Sequence, residues 1–326
     1  MKSAVLFPGQ GSQQPGMGRF LHDEFKIAKE TFEEASDAIQ ADLKKLCFEG
    51  SVADLALTEN TQPCLLAVST ATHRVLESVF GLQFAASAGH SVGEYAALVA
   101  GGVIPFPLAV KAVKTRGQAM QAAVPVGQGG MAAVLGLSDV DVPVLCEFVE
   151  KHSLAKPLNP ANYNCPGQVV VSGNQKCIDY LVKSTKPEEV FPVESKSFKV
   201  KALQVSAPFH CNMMAPAQEQ MKAVLEAIPF KDSRFPIVQN KTALFHQSAV
   251  ELRQNLVEQI SASVLWTQSM KLLIQSGFKC FVESGTGKVL QGLLKKIDSQ
   301  SIQVFNTNSL QELKQIEASL QKELLV

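Results

Sequence analysis

The chain has 326 residues, 46% hydrophobic and 18% charged, with thirty Lys and Arg opposed by thirty Asp and Glu. That balance supports a sizeable buried core, fits one large domain or two smaller ones, and excludes a disordered tail or a fibre. With zero net charge and no basic run it also argues against a nucleic-acid partner. The seven cysteines (Cys47, Cys64, Cys146, Cys165, Cys177, Cys211 and Cys280) are odd in number and never spaced as CxxC. They read as free thiols of a reducing compartment, not as a disulfide frame or a zinc site. The N-terminal apolar run meets Pro8-Gly9 too early for a signal core, and no stretch reaches about 18 uncharged apolar residues. The expectation is a soluble, cytoplasmic protein with no membrane association.

In chain order, Ala4 to Phe7 reads as a buried strand that stops at Pro8-Gly9 and enters the glycine-rich stretch Gly9-Gln10-Gly11-Ser12-Gln13. Residues 22 to 47 carry helical periodicity, with Phe25, Ala28, Phe32 and Ala35 on one face. Thr61-Gln62-Pro63 opens a helix to about Phe80, because proline suits the first helical turn. Phe84 to Ala88 reads as a second buried strand, followed by Gly89-His90-Ser91-Val92-Gly93 and a helix of small apolar residues that Gly101-Gly102 ends. Pro107 starts the helix that carries Arg116. The texture then changes: a strand at Met131–Leu135, a helix over 142–152, a strand at Gln168–Ser172 and a helix over 174–185 form a β-α-β-α segment. This segment reads as a compact αβ unit inserted at residues 126–197, between a first part (1–125) and a last part (198–326) of one larger domain. Buried strands follow at Phe278–Glu283 and Ile302–Phe305, and an amphipathic helix at Gln311–Leu325 closes the chain. Alternating strands and helices make the class α/β with a mostly parallel sheet.

The strongest chemical signal is the GxSxG run at Gly89–Gly93, set between a strand and a helix. Two glycines let the backbone pass a crowded turn that lifts the Ser91 hydroxyl clear of the sheet. The helix N-terminus behind it favours an oxyanion. A serine nucleophile needs a base. The His90 side chain should leave the tight turn in another direction, and His22, His73 and His152 sit among charged residues on helical surfaces expected to be exposed. His210, after Ala207-Pro208-Phe209, lies where Pro208 breaks regular structure. On the residues alone it stays open between a base and a satisfied structural histidine.

Several ordered motifs add to this reading: Phe7-Pro8-Gly9-Gln10-Gly11-Ser12-Gln13, Thr61-Gln62-Pro63, Gly89-His90-Ser91-Val92-Gly93-Glu94-Tyr95, Arg116-Gly117, Asn164-Cys165-Pro166-Gly167-Gln168-Val169-Val170, Ala207-Pro208-Phe209-His210 and Glu283-Ser284-Gly285-Thr286-Gly287-Lys288-Val289-Leu290. Together, from residue 3 to about 310, they closely resemble the malonyl-CoA:acyl carrier protein transacylase family. The resemblance implies an α/β-hydrolase-like core with an inserted ferredoxin-like subdomain. It also implies Ser91 as nucleophile and His210 as its base, oriented by the backbone carbonyl of Gln259. The oxyanion hole would be the backbone N–H groups of Gln10 and Val92, and Arg116 would clamp the malonyl carboxylate, where a lone arginine would otherwise read as one snorkelling from its helix. Thr286 stands where the family commonly has proline, and Leu265 precedes Trp266 where Arg or Gln is common; both departures bear on loop rigidity.

The activity so implied is transfer of a malonyl group from malonyl-CoA to the phosphopantetheine thiol of acyl carrier protein. A monomer would do this without metal or redox cofactor, since a thioester is already activated. The carrier is acidic by the same resemblance, so a local basic patch is expected, drawn from Lys196, Lys199 and Lys201 or from Lys288, Lys295 and Lys296. The rival readings are a trans-acting acyltransferase serving a polyketide synthase, an acyl-thioester hydrolase and an inactive carrier-binding module.

Overall fold

A computed structural model describes residues 2–194 and 196–321. Its strands are β1 (Lys2–Phe7), β2 (Ala86–Gly89), β3 (Gly129–Leu135), β4 (Leu158–Cys165), β5 (Gln168–Asn174), β6 (Lys199–Ala202), β7 (Ile237–Val238), β8 (Phe245–His246), β9 (Phe278–Glu283) and β10 (Gln303–Asn306). The larger sheet has the order β10-β9-β1-β2-β7-β8. All its pairings are parallel except that of β7 with β8. Strand β1 shows why the apolar run becomes a central strand. Val5 and Phe7 enter one hydrophobic core and Ala4 and Leu6 the other, on opposite faces of the sheet. Phe7 pairs with Gly89, so the loops leaving β1 and β2 emerge side by side. The carboxyl edge of such a sheet is where α/β folds place their ligands.

The smaller sheet, β4-β5-β3-β6, is antiparallel throughout. With the helices Asp141–Ser153 and Gln175–Lys183 it forms a β-α-β-β-α-β ferredoxin-like unit. Ala132, Val134, Val169 and Val171 pack under those helices, while Met131, Ala133 and Val170 face the main core. The period of two along these strands thus roofs the carboxyl edge of the large sheet. Two strands of this unit go beyond the sequence expectation. Strand β4 contains Pro160 and three asparagines and its pairing is twice irregular, so it lacks an alternating signature. Strand β6 lies past the expected boundary at Ser197 and pairs with β3 along Leu135–Ala132. We therefore propose that the inserted unit spans residues 126–202, between catalytic segments 2–125 and 203–321.

The proline-led helix begins earlier than expected. It runs Thr58–Ser78 with Pro63 inside it, because the Leu57 carbonyl already accepts from the Asn60 and Thr61 amides. The last helix is Leu310–Gln321, and the rest of its expected span to Leu325 lies outside the described residues. No described helix is long and apolar enough to cross a membrane.

Candidate active site

Ser91 sits between β2 and the helix Gly93–Ala100 with φ of 51°, a left-handed backbone that β-carbon-bearing residues rarely adopt. Sterics explain both flanking glycines. A β-carbon on Gly89 would lie 2.0 Å from the Gly93 carbonyl, and one on Gly93 would lie 2.2 Å from the Phe7 carbonyl oxygen. Only glycine lets the turn close and press against β1.

His210, also left-handed with φ of 58°, is 3% exposed. Its Nδ1 lies 3.0 Å from the Gln259 carbonyl oxygen and its Nε2 2.7 Å from Ser91 Oγ. A carbonyl can only accept, so Nδ1 carries the proton, and Nε2 of the neutral ring is left to accept from the Ser91 hydroxyl. Burial, reinforced by the Arg116 charge, pushes the imidazole down to about 3. The ring is therefore neutral at physiological pH, the form a base requires.

Arg116 lies on the helix Phe106–Ala122 and is 1% exposed. One guanidinium nitrogen donates to Gln62 Oε1 at 2.8 Å; the other donates to Gln259 Oε1 at 3.0 Å and to Ser91 Oγ at 3.3 Å. All three partners are uncharged, and Nε has no partner among the described residues. Glu94 is the nearby acid, but it accepts instead from the Asn240 N–H and from Gln239, and burial lifts its carboxyl to about 7. A desolvated cation with only neutral partners beside a serine has the chemistry to receive a small carboxylate.

Ser91, His210, Arg116 and Gln10 line one cavity of about 270 Å³, roofed by Met131 and Val170 of the small sheet and walled by Leu203 and Val205. The Gln10 side chain is tied through Thr58 and Gln62 to Arg116, by bonds of 2.9, 3.2 and 2.8 Å. Val92 follows Ser91 and is 2% exposed. The Ser91, Gly93 and Glu94 amides of the turn are committed to Asn240 Oδ1, His90 O and Ser91 O. Among the described residues no group of three or more His, Cys, Asp or Glu could hold a metal ion.

With this geometry in view, the similarity to known proteins is decisive. A family model described as acyl transferase domain matches residues 5–303. The chain belongs to the acyl transferase family. Among its relatives, malonyl CoA-acyl carrier protein transacylase of Bacillus subtilis strain 168 is 40% identical over 298 residues, 91% of this chain and 90% of the relative. The Staphylococcus aureus protein of the same name is 37% identical over 313 residues, covering 96% and 97%. Of solved acyl transferase structures, FabD from Acinetobacter baumannii superposes with a TM-score of 0.91 at 38% identity, covering 99% of each chain. A malonyl-transacylase in complex with a type II PKS acyl-carrier protein superposes at 0.90 with 36% identity, covering 98% of this chain and all of the other.

The other histidines of this acyl transferase take structural places. His90 turns away from the serine, bonds Asn164 Oδ1 at 2.9 Å and lies over Trp266. His73, expected on an exposed surface, is 3% exposed and set between Phe7 and Phe84, because its helix is buried on nearly every side. Of the expected basic residues, exposed Lys296 bonds Gln168, a cavity-lining residue, at 3.2 Å. Exposed Lys199 and Lys201 lie on edge strand β6, Lys288 pairs with Glu312, and Lys196 pairs with Asp141 and Glu194. Asn240 and Glu94 had no role in the sequence reading, since a lone asparagine in a loop and a glutamate in a helix carry no signal of burial.

Proposed function

We propose that this acyltransferase moves a malonyl group from malonyl-CoA to the phosphopantetheine thiol of acyl carrier protein through a malonyl-serine. Ser91 Oγ attacks the thioester carbonyl while its proton passes to His210 Nε2, with Nδ1 held by the Gln259 carbonyl. The carbonyl electrons collect on oxygen, facing the backbone N–H groups of Gln10 and Val92. On collapse the carbon–sulfur bond breaks, and the coenzyme A sulfur takes the proton from His210. The carrier thiol then gives a proton to His210, attacks the serine ester and releases Ser91, which recovers its proton. No step calls for a metal or redox group. The enzyme so described works as a monomer in the cytoplasm.

The observation that carries this reading is Arg116, buried, partnered only by neutral groups and 3.3 Å from Ser91 Oγ. A hydrolase of plain acyl thioesters gains nothing from such a cation. The reading is tested by incubating the protein with labelled malonyl-CoA, with and without carrier. Label arriving on the carrier supports transfer; label released only as free malonate overturns it in favour of hydrolysis. Which carrier is served, one of fatty-acid or one of polyketide synthesis, is decided by comparing the two as acceptors.

A further inference from the structure

Asn240 lies between β7 and β8, is 0% exposed and bonds the nucleophile turn at Gly89, Ser91 and Glu94. Its Oδ1 accepts the Ser91 N–H at 2.7 Å and Gln259 Nε2 at 3.3 Å. Its Nδ2 donates to the Gly89 carbonyl at 2.6 Å, and its own N–H donates to Glu94 at 2.7 Å. Gln259 Nε2 also donates to the Ser91 carbonyl at 3.0 Å, and the Gln259 carbonyl holds His210. One side-chain amide thus grips the turn before and at the serine and bonds the residue that orients the base. The backbone it grips is the left-handed one at Ser91, which needs surroundings that over-determine it.

We infer that Asn240 is a positioning residue: it sets the Ser91–His210 distance by clamping the nucleophile turn to Gln259. This rests on Ser91 being the nucleophile and goes beyond it. The amide is suited to the task because it offers an acceptor to Ser91 and a donor to Gly89 from one plane. Accepting the Ser91 N–H also takes that amide out of the oxyanion site and leaves the Val92 N–H to face the substrate oxygen. The titratable and charged groups in the same network are Glu94, on the Asn240 N–H, and Arg116, on Gln259 Oε1, with His210 beyond the Gln259 carbonyl.

The test uses a neutral fluorophosphonate as a serine-directed probe, so that malonate recognition is not involved. Wild-type protein that is never labelled on Ser91 would refute the nucleophile reading itself, apart from any role of Asn240. Given labelling, Asn240→Ala should slow it by about 100-fold, the usual cost of misplacing a catalytic group by about 1 Å. The apparent affinity for malonyl-CoA should change less than about threefold. A labelling rate within about threefold of wild type overturns the proposal. Asn240→Asp carries the test whether or not the alanine variant folds. Protonated, the introduced carboxyl offers the same donor and acceptor as the amide; ionised, it loses the donor to Gly89. Its labelling rate relative to wild type should therefore fall at least tenfold as pH rises. A ratio that stays flat with pH, read over the range in which thermal melts show the variant folded, overturns the clamp, since Glu94 and Glu283 also titrate with pH.

Discussion

Replacing Arg116 by alanine removes a fully buried guanidinium and leaves Gln62 and Gln259 without their donor. In the wild type, a malonyl carboxylate entering the cavity meets that cation, which is itself 1% exposed. In the variant the same carboxylate is buried unpaired, which costs on the order of 3–5 kcal/mol. At about 1.4 kcal/mol per decade, kcat/KM for malonyl-CoA should fall by between two and three and a half decades. Acetyl-CoA shares the reacting carbonyl but has no carboxylate, and in the wild type it faces an unpaired guanidinium. Its kcat/KM should hold or rise. The assay is the ratio of the two specificity constants in wild type and variant, beside thermal melts of each protein. Equal losses for the two substrates would make Arg116 a support of the fold alone and rule it out as a carboxylate clamp.

Four further outcomes follow from the same geometry. His210 is held down to about 3 by burial first and the Arg116 charge second, so its neutral form persists far into acid. Acylation by the fluorophosphonate should show no acid limb near the ordinary histidine value of about 6.5, whereas in Arg116→Ala the limb should move up toward it; a limb at about 6.5 in the wild type contradicts this. Gly93→Ala puts a β-carbon 2.2 Å from the Phe7 carbonyl oxygen, so β1 and the turn must part. A loss of about 1–3 kcal/mol in stability and most of the labelling rate is expected, and an unchanged melting temperature counts against the packing argument. Lys296→Glu, at the cavity edge, should raise the KM for carrier at low salt while Lys199→Glu with Lys201→Glu changes it less, and the reverse order would move the docking face to β6. Finally, the carboxyls of Glu94 and Glu283, both lifted to about 7 by burial, keep protons between pH 4.5 and 7 that the unfolded chain has released. Stability should therefore fall as pH rises through that window, by on the order of 3 kcal/mol per carboxyl at most; a melt that rises there would contradict the assignment.

Much of the candidate site's backbone is legible in the sequence because its parts are local. An apolar run ending at Pro8-Gly9, two glycines around Ser91 and a proline before His210 each state a backbone requirement in a few residues. The elements that escaped are those held by distant partners. Strands β7 and β8 have two residues each and exist through their neighbours, β2 and one another. Strand β6 alternates lysines with Val200 and Ala202, and only its pairing with β3 makes it a strand. Burial of charge is equally non-local: nothing around Arg116 says that Gln62 and Gln259, 54 and 143 residues away, will enclose it. Asn240 reaches Ser91 across 149 residues and is invisible for the same reason.

The proposed intermediate is a covalent malonyl group on Ser91, placed there with help from His210. It is tested most directly by mass spectrometry of peptides from protein quenched in acid shortly after mixing with malonyl-CoA. The malonyl mass is expected on the peptide containing Ser91, absent from Ser91→Ala, and appearing about 100-fold or more slowly in His210→Ala. Malonylation of another residue, or an unchanged yield from Ser91→Ala, would contradict it.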